Sequence, residues 1–166
     1  KETPWKCPYL YEDDSVSCIC DMPHTVRCSG TISPNDVYPI SVIAQRLRQL
    51  SPGEQVSLLD LSIQGIEALR NFDFENITLQ GLVLSSGILE FVPDNAFSKM
   101  SDSLGALGLP GNRLVKIPVE AIEKLTRLER LDLSGNSITT IPPRVFSKLK
   151  NLNYLDLSKN KIRSFQ

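Results

Sequence analysis

The chain has 166 residues, of which 41% are hydrophobic and 22% are charged, and its formal net charge is −1. This composition is that of a globular domain with enough apolar side chains for one continuous core. No Lys/Arg block suits nucleic-acid binding, and no apolar run approaches the roughly 18 residues of a membrane span. The sequence has no signal peptide and begins at Lys1 rather than at methionine, which indicates a processed or trimmed chain.

All four cysteines lie within the first 28 residues, at Cys7, Cys18, Cys20 and Cys28. The single residue between the second and third cysteines fits poorly with the paired ligands of a zinc site. Those two are also too close to pair easily with each other, which leaves two connectivities, 7–20 with 18–28 or 7–18 with 20–28. We predict a disulfide-bonded cap over residues 1–33. Disulfides form in oxidising compartments, so an extracellular location is expected, either secreted or as a cell-surface ectodomain.

A helical connection is predicted over residues 34–55. Its apolar residues recur at helical spacing, and they are Ile40, Ile43, Leu47 and Leu50. Proline is tolerated at the start of a helix, and the run Ser-Pro-Gly at 51–53 ends one. We therefore predict an amphipathic helix over Pro39–Leu50 that packs on the convex side of the structure that follows. Its polar residues Arg46, Arg48 and Gln49 are expected in solvent.

The sequence Asn76-Ile77-Thr78 is an acceptor for N-glycosylation, which agrees with an oxidising compartment. It lies just before Leu79, on the connection into a predicted strand. We predict Asn76 as a glycosylation site, and a glycan there would keep that edge of the structure free of partners.

One pattern repeats over residues 56–166. Leu128–Ile138 and Leu152–Ile162, 24 residues apart, both read L-x-x-L-x-L-x-x-N-x-I. Earlier copies start at Val56, Leu79 and Leu104, which gives four full units and a partial fifth. Within L-x-x-L-x-L the side chains alternate, so one strand cannot bury its own apolar side. Stacked units bury it against each other and form a parallel sheet.

The asparagine slot of the repeat is filled in the later units, by Asn112, Asn136 and Asn160. A buried asparagine must be hydrogen-bonded, and we expect its partners in the backbone of adjacent turns. Gln64 and Gly87 occupy this slot in the first two units, which we therefore expect to be less regular.

These features resemble extracellular leucine-rich repeat proteins with a cysteine-rich N-terminal cap. The repeats are similar to the typical 24-residue class, and the cap is similar to the pattern C-x-C…V-x-C at 18–20 and 26–28. The resemblance implies an α/β fold, a leucine-rich repeat solenoid with a curved parallel sheet on its concave side. It also implies that the first cysteine pairs with the third and the second with the fourth, giving Cys7–Cys20 and Cys18–Cys28.

Function is expected on the concave face, because solenoids bind their partners there. The last strands present a polar, partly acidic strip, which we predict to bind a protein or glycan ligand: Glu129, Arg130, Asp132, Asn153, Tyr154 and Asp156. Tyrosine and arginine are enriched in binding hot spots. The alternative for Asp132 and Asp156 is a ladder that merely keeps the sheet solvated.

An enzyme is not expected, and neither is a cofactor or a metal site. The single histidine, His24, lies in the cap, which excludes most catalytic triads and multi-histidine metal sites. We predict a secreted or cell-surface binding module, for which innate immune recognition, a receptor and a matrix protein are all suitable roles.

The alternative is a non-catalytic accessory subunit. The chain stops at Gln166 in mid-repeat, so it is either a fragment of a longer solenoid or a chain that associates through its C-terminal end. That end is expected to expose apolar side chains, namely Leu155, Leu157, Ile162 and Phe165.

Overall fold

The computed structural model describes residues 4–100 and 102–165. Lys1 and Gln166, where the predicted cap begins and the predicted repeats end, lie outside the described residues, as does the side chain of Phe165. Within the described part, no helix has the length and apolar character needed to cross a membrane.

The cap is a β-hairpin that forms the first two strands of the main sheet. Strands β1 (Val16–Cys20) and β2 (Thr25–Thr31) pair antiparallel. Cys7 is bonded to Cys20 with a Cα separation of 6.0 Å, and Cys18 to Cys28 with 3.9 Å. This is the pairing that the family resemblance implies. The second bond joins facing residues of the hairpin, so it ties β1 directly to β2.

Helix α1 (Pro39–Leu47) follows the cap and ends three residues before the predicted Leu50. The chain tightens just after the helix, where the Gln49 amide bonds to the Arg46 carbonyl three residues back, whereas the Arg48 amide still bonds to the Ala44 carbonyl four residues back. Leu50 then leads into Ser51, whose position before a proline disfavours helical backbone. A short 3-10 helix, Pro52–Glu54, completes the connection.

The polar side of α1 is less solvated than the sequence predicts. Arg46 is half-buried, donates a 2.6 Å hydrogen bond to the Leu10 carbonyl and lies over the Tyr9 ring. Arg48 donates to the carbonyls of Glu75 and Asp73 on the convex side of the first repeat. The prediction of a solvated side chain was therefore wrong for Arg46, because this long side chain reaches a carbonyl of the cap. Arg48 and Gln49 are exposed as expected.

The repeats continue the sheet that the cap begins. Strands β3 (Leu58–Gln64), β4 (Gly81–Leu84), β5 (Ala106–Gly108), β6 (Arg130–Asp132) and β8 (Tyr154–Asp156) are parallel, and β2 pairs with β3 in parallel as well. The strand order is β1-β2-β3-β4-β5-β6-β8. Helix α2 (Val119–Ile122) lies on one return segment, and β7 (Thr140–Ile141) pairs with β9 (Ser164–Phe165) in a second small sheet.

A ladder of leucines fixes the register of the sheet and builds the core. The Cα partners run through one residue of each strand, in the order Leu59, Leu82, Leu107, Leu131 and Leu155. The first four are buried, whereas Leu155 is 39% exposed. Leu157 and Ile162, also predicted to be exposed, are half-buried. Phe74 and Phe97 stack at 6.2 Å on the convex side of the core.

Asparagine side chains lock successive coils together, as the sequence predicts. Asn136 accepts a bond from the Leu114 amide at 3.1 Å and donates to the Leu109 carbonyl at 2.8 Å, both in the preceding coil. Asn112 and Asn160 make equivalent bonds to their preceding coils. Each amide thus satisfies backbone groups that would otherwise be buried without partners.

The first units are not less regular in their strands, which corrects the prediction made from Gln64 and Gly87. Strand β3 has seven residues and is matched over its full length by β2, whereas β5, β6 and β8 have three each. Residues 62–64 belong to β3 because β2 pairs with them, whereas β4 pairs only with Leu58–Leu61. In the second unit, which lacks the asparagine, the Ser86 hydroxyl joins two coils by donating to the Ile66 carbonyl at 2.5 Å.

Candidate binding face

The concave face carries the side chains that alternate with the buried leucines. We use this name for the sheet surface opposite the leucine core. Its central row follows the backbone register across seven strands: Ile19, Arg27, Asp60, Val83, Gly108, Asp132 and Asp156. The cap therefore contributes two strands to this face, which the repeat pattern alone did not predict. The alternation of Val26 and Cys28 with the polar residues Arg27 and Ser29 is the signal that could have revealed it.

At the cap end of the face the charges are balanced within the protein. The Arg27 guanidinium lies 3.1 Å from Asp21 and 3.5 Å from Asp60. Both pairs are largely solvent-exposed, so each contributes little to stability. As a result, the carboxylates of Asp21 and Asp60 each already have a cation nearby.

The middle of the face carries mostly small residues, namely Gly81 of β4, Ala106 and Gly108 of β5, and Gly105 just before β5. Gly81 and Gly108 are buried against the side chains of Leu58 and Val83, whereas Gly105 and Ala106 are half-buried. Beside Gly105 and Ala106 lies an open depression of about 620 Å³ with Glu129, Arg130 and Asn153 on its wall. Gln80, Ser103 and Arg127 also line it, and the sequence analysis did not single out these three.

Arg130 and Tyr154 form the most exposed aromatic contact of the concave face. They are register partners on β6 and β8, and the guanidinium carbon lies 4.1 Å from the centre of the tyrosine ring. Tyr154 remains 42% exposed. A cation–π contact at an exposed site contributes about 0.5–1 kcal/mol, enough to pre-orient both side chains without burying them.

Asp132 and Asp156 have a local structural task. The Asp132 carboxylate accepts the Ser134 amide at 2.9 Å, and Asp156 accepts both the amide and the hydroxyl of Ser158, at 2.9 and 2.6 Å. These bonds turn the chain at the end of each strand. The Ser158 hydroxyl, followed by its amide, lowers the pKa of Asp156, which therefore stays ionised at neutral pH. Within the described residues neither aspartate forms an ion pair.

The structure brings all six predicted binding residues onto two adjacent coils. Glu129 and Asn153 each precede a strand, and the Glu129 carbonyl accepts the amides of Asn153 and Tyr154. Both side chains are exposed beside the Arg130–Tyr154 pair. The strip is thus continuous, with one cationic, one aromatic and three acidic side chains around a floor of small residues.

Two other predicted residues lie away from this strip. His24 has a positive φ of 62°, and its ring lies 2.9 Å from the Gln55 carbonyl and 5.4 Å from the Trp5 ring, so it joins the cap to the helical connection. Asn76 is exposed in a turn near α1, on the convex side. Among residues 4–100 and 102–165, no three His, Cys, Asp or Glu side chains are grouped so as to hold a metal ion.

Comparison with known proteins agrees with the repeat architecture. Residues 102–162 match the family model for the leucine rich repeat. Over 112 residues, 66% of the chain, the sequence is 30% identical to Chaoptin of Drosophila melanogaster, and the match spans 8% of that protein's length. Leucine-rich repeat domains are typically non-catalytic and mediate protein binding. With its leucine and asparagine ladders and its two cap disulfides, the chain has the fold of a leucine-rich repeat solenoid with a cysteine-rich N-terminal cap.

Proposed function

We propose that this chain is an extracellular protein-binding module and that its partner docks on the concave face at β6 and β8. One observation carries the proposal. The pre-oriented Arg130–Tyr154 pair stands exposed beside a floor formed by the small residues Gly105 and Ala106. Arginine and tyrosine are enriched in binding hot spots, and a floor of small residues lets a partner approach the sheet closely.

Charge indicates the chemistry of the partner. At the cap end Arg27 neutralises its acidic neighbours, whereas Asp132 and Asp156 have no cation paired with them in the described part of the chain. These two aspartates are register partners on adjacent strands, so their backbones lie about 4.8 Å apart. A partner that places a lysine or arginine there and an apolar side chain over the floor would match both features.

The two cap disulfides support an extracellular location for this binding. Innate immune recognition and service as a cell-surface receptor are finer forms of the same proposal. Both would use the concave face in the same way, and the identity of the partner decides between them.

The test is a binding screen of the purified chain against an array of secreted proteins and ectodomains, with a glycan array in parallel. Each hit is then measured with Tyr154→Ala and Arg130→Ala. We expect each variant to weaken a protein hit by about tenfold or more, the size of a hot-spot loss.

The matched control is Tyr9→Ala. Tyr9 is also exposed and also lies under an arginine, Arg46 of α1, at 4.8 Å, but it belongs to the cap and not to the concave face. Its loss should leave the affinity unchanged. Equal affinity for the wild type, Tyr154→Ala and Arg130→Ala would place the contact elsewhere, and hits on the glycan array alone would replace a protein partner by a carbohydrate.

A further inference from the structure

The convex side carries an exposed aromatic residue that packing does not explain. Phe72 is 44% exposed and has a φ of +63°, a backbone region that disfavours large side chains. Its amide is held by the Asn95 carbonyl at 2.9 Å, and its own carbonyl accepts the Glu75 amide at 3.1 Å. The backbone thus fixes this aromatic ring at the surface, in the turn that leads to Asn76.

The acceptor sequence at Asn76 is presented outward by the same turn. Asn76 and Thr78 are exposed, whereas Ile77 between them is 4% exposed and anchors the segment in the core. Asn76 has a φ of 60°, and the Ile77 amide bonds to the Phe74 carbonyl. Asn76 is therefore accessible to modification at the surface without any rearrangement of the fold. No second N-x-S/T sequence occurs in the 166 residues.

A polar depression of about 470 Å³ lies directly beside Asn76. Ser41 of helix α1 and Arg48, which directly follows this helix, form one wall, and Phe72 and Glu75 of the turn form another. Arg48 holds the two walls together by donating to the Glu75 and Asp73 carbonyls. The size lies within the range of ligand pockets, about 300–1,000 Å³. The lining is mainly polar, with hydroxyl and guanidinium donors, and Phe72 is its one aromatic side chain.

We propose that Asn76 carries an N-linked glycan whose first N-acetylglucosamine rests in this depression against Phe72. The C–H groups of a sugar ring pack on the negative face of an aromatic ring, and its hydroxyl and acetamide oxygens accept bonds from donors such as Ser41 and Arg48. Because Asn76 itself lines the depression, a sugar bonded to Asn76 is the group held closest to it. The proposal is independent of the concave face, which such a glycan leaves open.

The modification is a transfer from a lipid-linked oligosaccharide in the secretory pathway. Asn76 Nδ2 forms a bond to C1 of the N-acetylglucosamine at the reducing end. The bond between C1 and the lipid diphosphate breaks, the diphosphate leaves with the electron pair, and Nδ2 releases one proton. Thr78 supplies the hydroxyl that the acceptor sequence requires.

The first experiment asks whether the site is used. The chain is secreted from cultured eukaryotic cells, and the peptide containing Asn76 is analysed by mass spectrometry before and after amidase treatment. We expect a glycan on the wild type and on Phe72→Ala, and none on Thr78→Ala. Thr78→Ala serves as the unglycosylated form because it keeps the positive-φ asparagine in place. A wild-type peptide with an unmodified Asn76 would overturn the site.

The second experiment asks whether the sugar contacts Phe72. Thermal unfolding midpoints are compared for Phe72→Ala in the glycosylated background and in the Thr78→Ala background. We expect the substitution to lower the midpoint by about 2–4 °C more when the glycan is present, as for loss of one aromatic contact. Amidase should also release the glycan several-fold faster from native Phe72→Ala than from the native wild type.

The matched control is Phe91→Ala, which removes another exposed phenylalanine that lines a different depression. Its effect on the midpoint should be the same with and without the glycan. If Phe72→Ala fails to fold, Phe72→Leu keeps an apolar side chain and removes only the aromatic face, and the same difference is expected. Equal losses in both backgrounds, with unchanged release rates, would overturn the contact.

Discussion

Replacing Asn136 by alanine removes the side chain that joins two coils of the repeat. The Leu114 amide, bonded at 3.1 Å, and the Leu109 carbonyl, bonded at 2.8 Å, both lose their partner. Asn136 is 5% exposed, so water does not readily replace it. At about 1–3 kcal/mol for each of these two unsatisfied buried groups, we expect a loss of about 2–6 kcal/mol in the free energy of unfolding.

Urea unfolding followed by circular dichroism measures this loss, and amide hydrogen exchange at Leu114 localises it. Asn151→Ala is the matched control, because the exposed Asn151 amide donates a single 3.1 Å bond to the Thr126 carbonyl of the preceding coil. We expect at most about 0.5–1 kcal/mol from that change. If both variants unfold at the same urea concentration, the ladder of buried asparagines does not stabilise the solenoid in the way described.

Two further predictions concern the cap and its junction with the repeats. Tyr38 donates a 2.6 Å hydrogen bond to Asp73, and burial raises the pKa of Asp73. Asp73 therefore stabilises the fold below its unfolded pKa, and this contribution is lost as pH rises through its folded pKa. Tyr38→Phe removes a donor to the carboxylate and should raise the pKa of Asp73 further. The loss in the free energy of unfolding, measured in urea, should therefore grow from acid to neutral pH and reach about 1–3 kcal/mol. A loss that stays constant with pH would contradict this explanation. Gly30 has a φ of +145°, and a Cβ there would lie 2.0 Å from the Ser15 carbonyl oxygen, so Gly30→Ala should lower stability by about 2 kcal/mol or more in thermal unfolding. Gly53→Ala meets no atom within 4 Å and should cost far less, and similar losses for the two would refute the steric explanation.

Those features of the fold that depend on period could be predicted from the sequence. The leucine spacing predicts which side chains face the core, and alternation then places Arg130 and Asp132 on the opposite face. Features that depend on long side chains or on neighbouring coils could not. The contact of Arg46 with the Leu10 carbonyl is one example, since no local pattern brings these residues together. The length of β3 is another, because β2 of the cap supports it.

The candidate site divides in the same way. Register alone predicts that Arg130 and Tyr154 are neighbours, because they occupy the same slot of successive units. It does not predict that the guanidinium stacks on the ring, which depends on side-chain rotamers. Nor does it predict the bonds from Ser158 to Asp156, in which the carboxylate turns back on its own chain.

The leucine ladder also determines where the protein tolerates changes of length. Successive ladder positions are separated by 23 residues (59 to 82), 25 (82 to 107), 24 (107 to 131) and 24 (131 to 155), yet their Cα atoms remain direct partners. The differences in repeat length therefore lie in the return segments, and the register of the strands is unchanged. Insertions and deletions can therefore accumulate on the convex side while the spacing of side chains across the concave face is preserved. In the evolution of such proteins, the convex side can thus change in length while binding of a partner conserves the concave face.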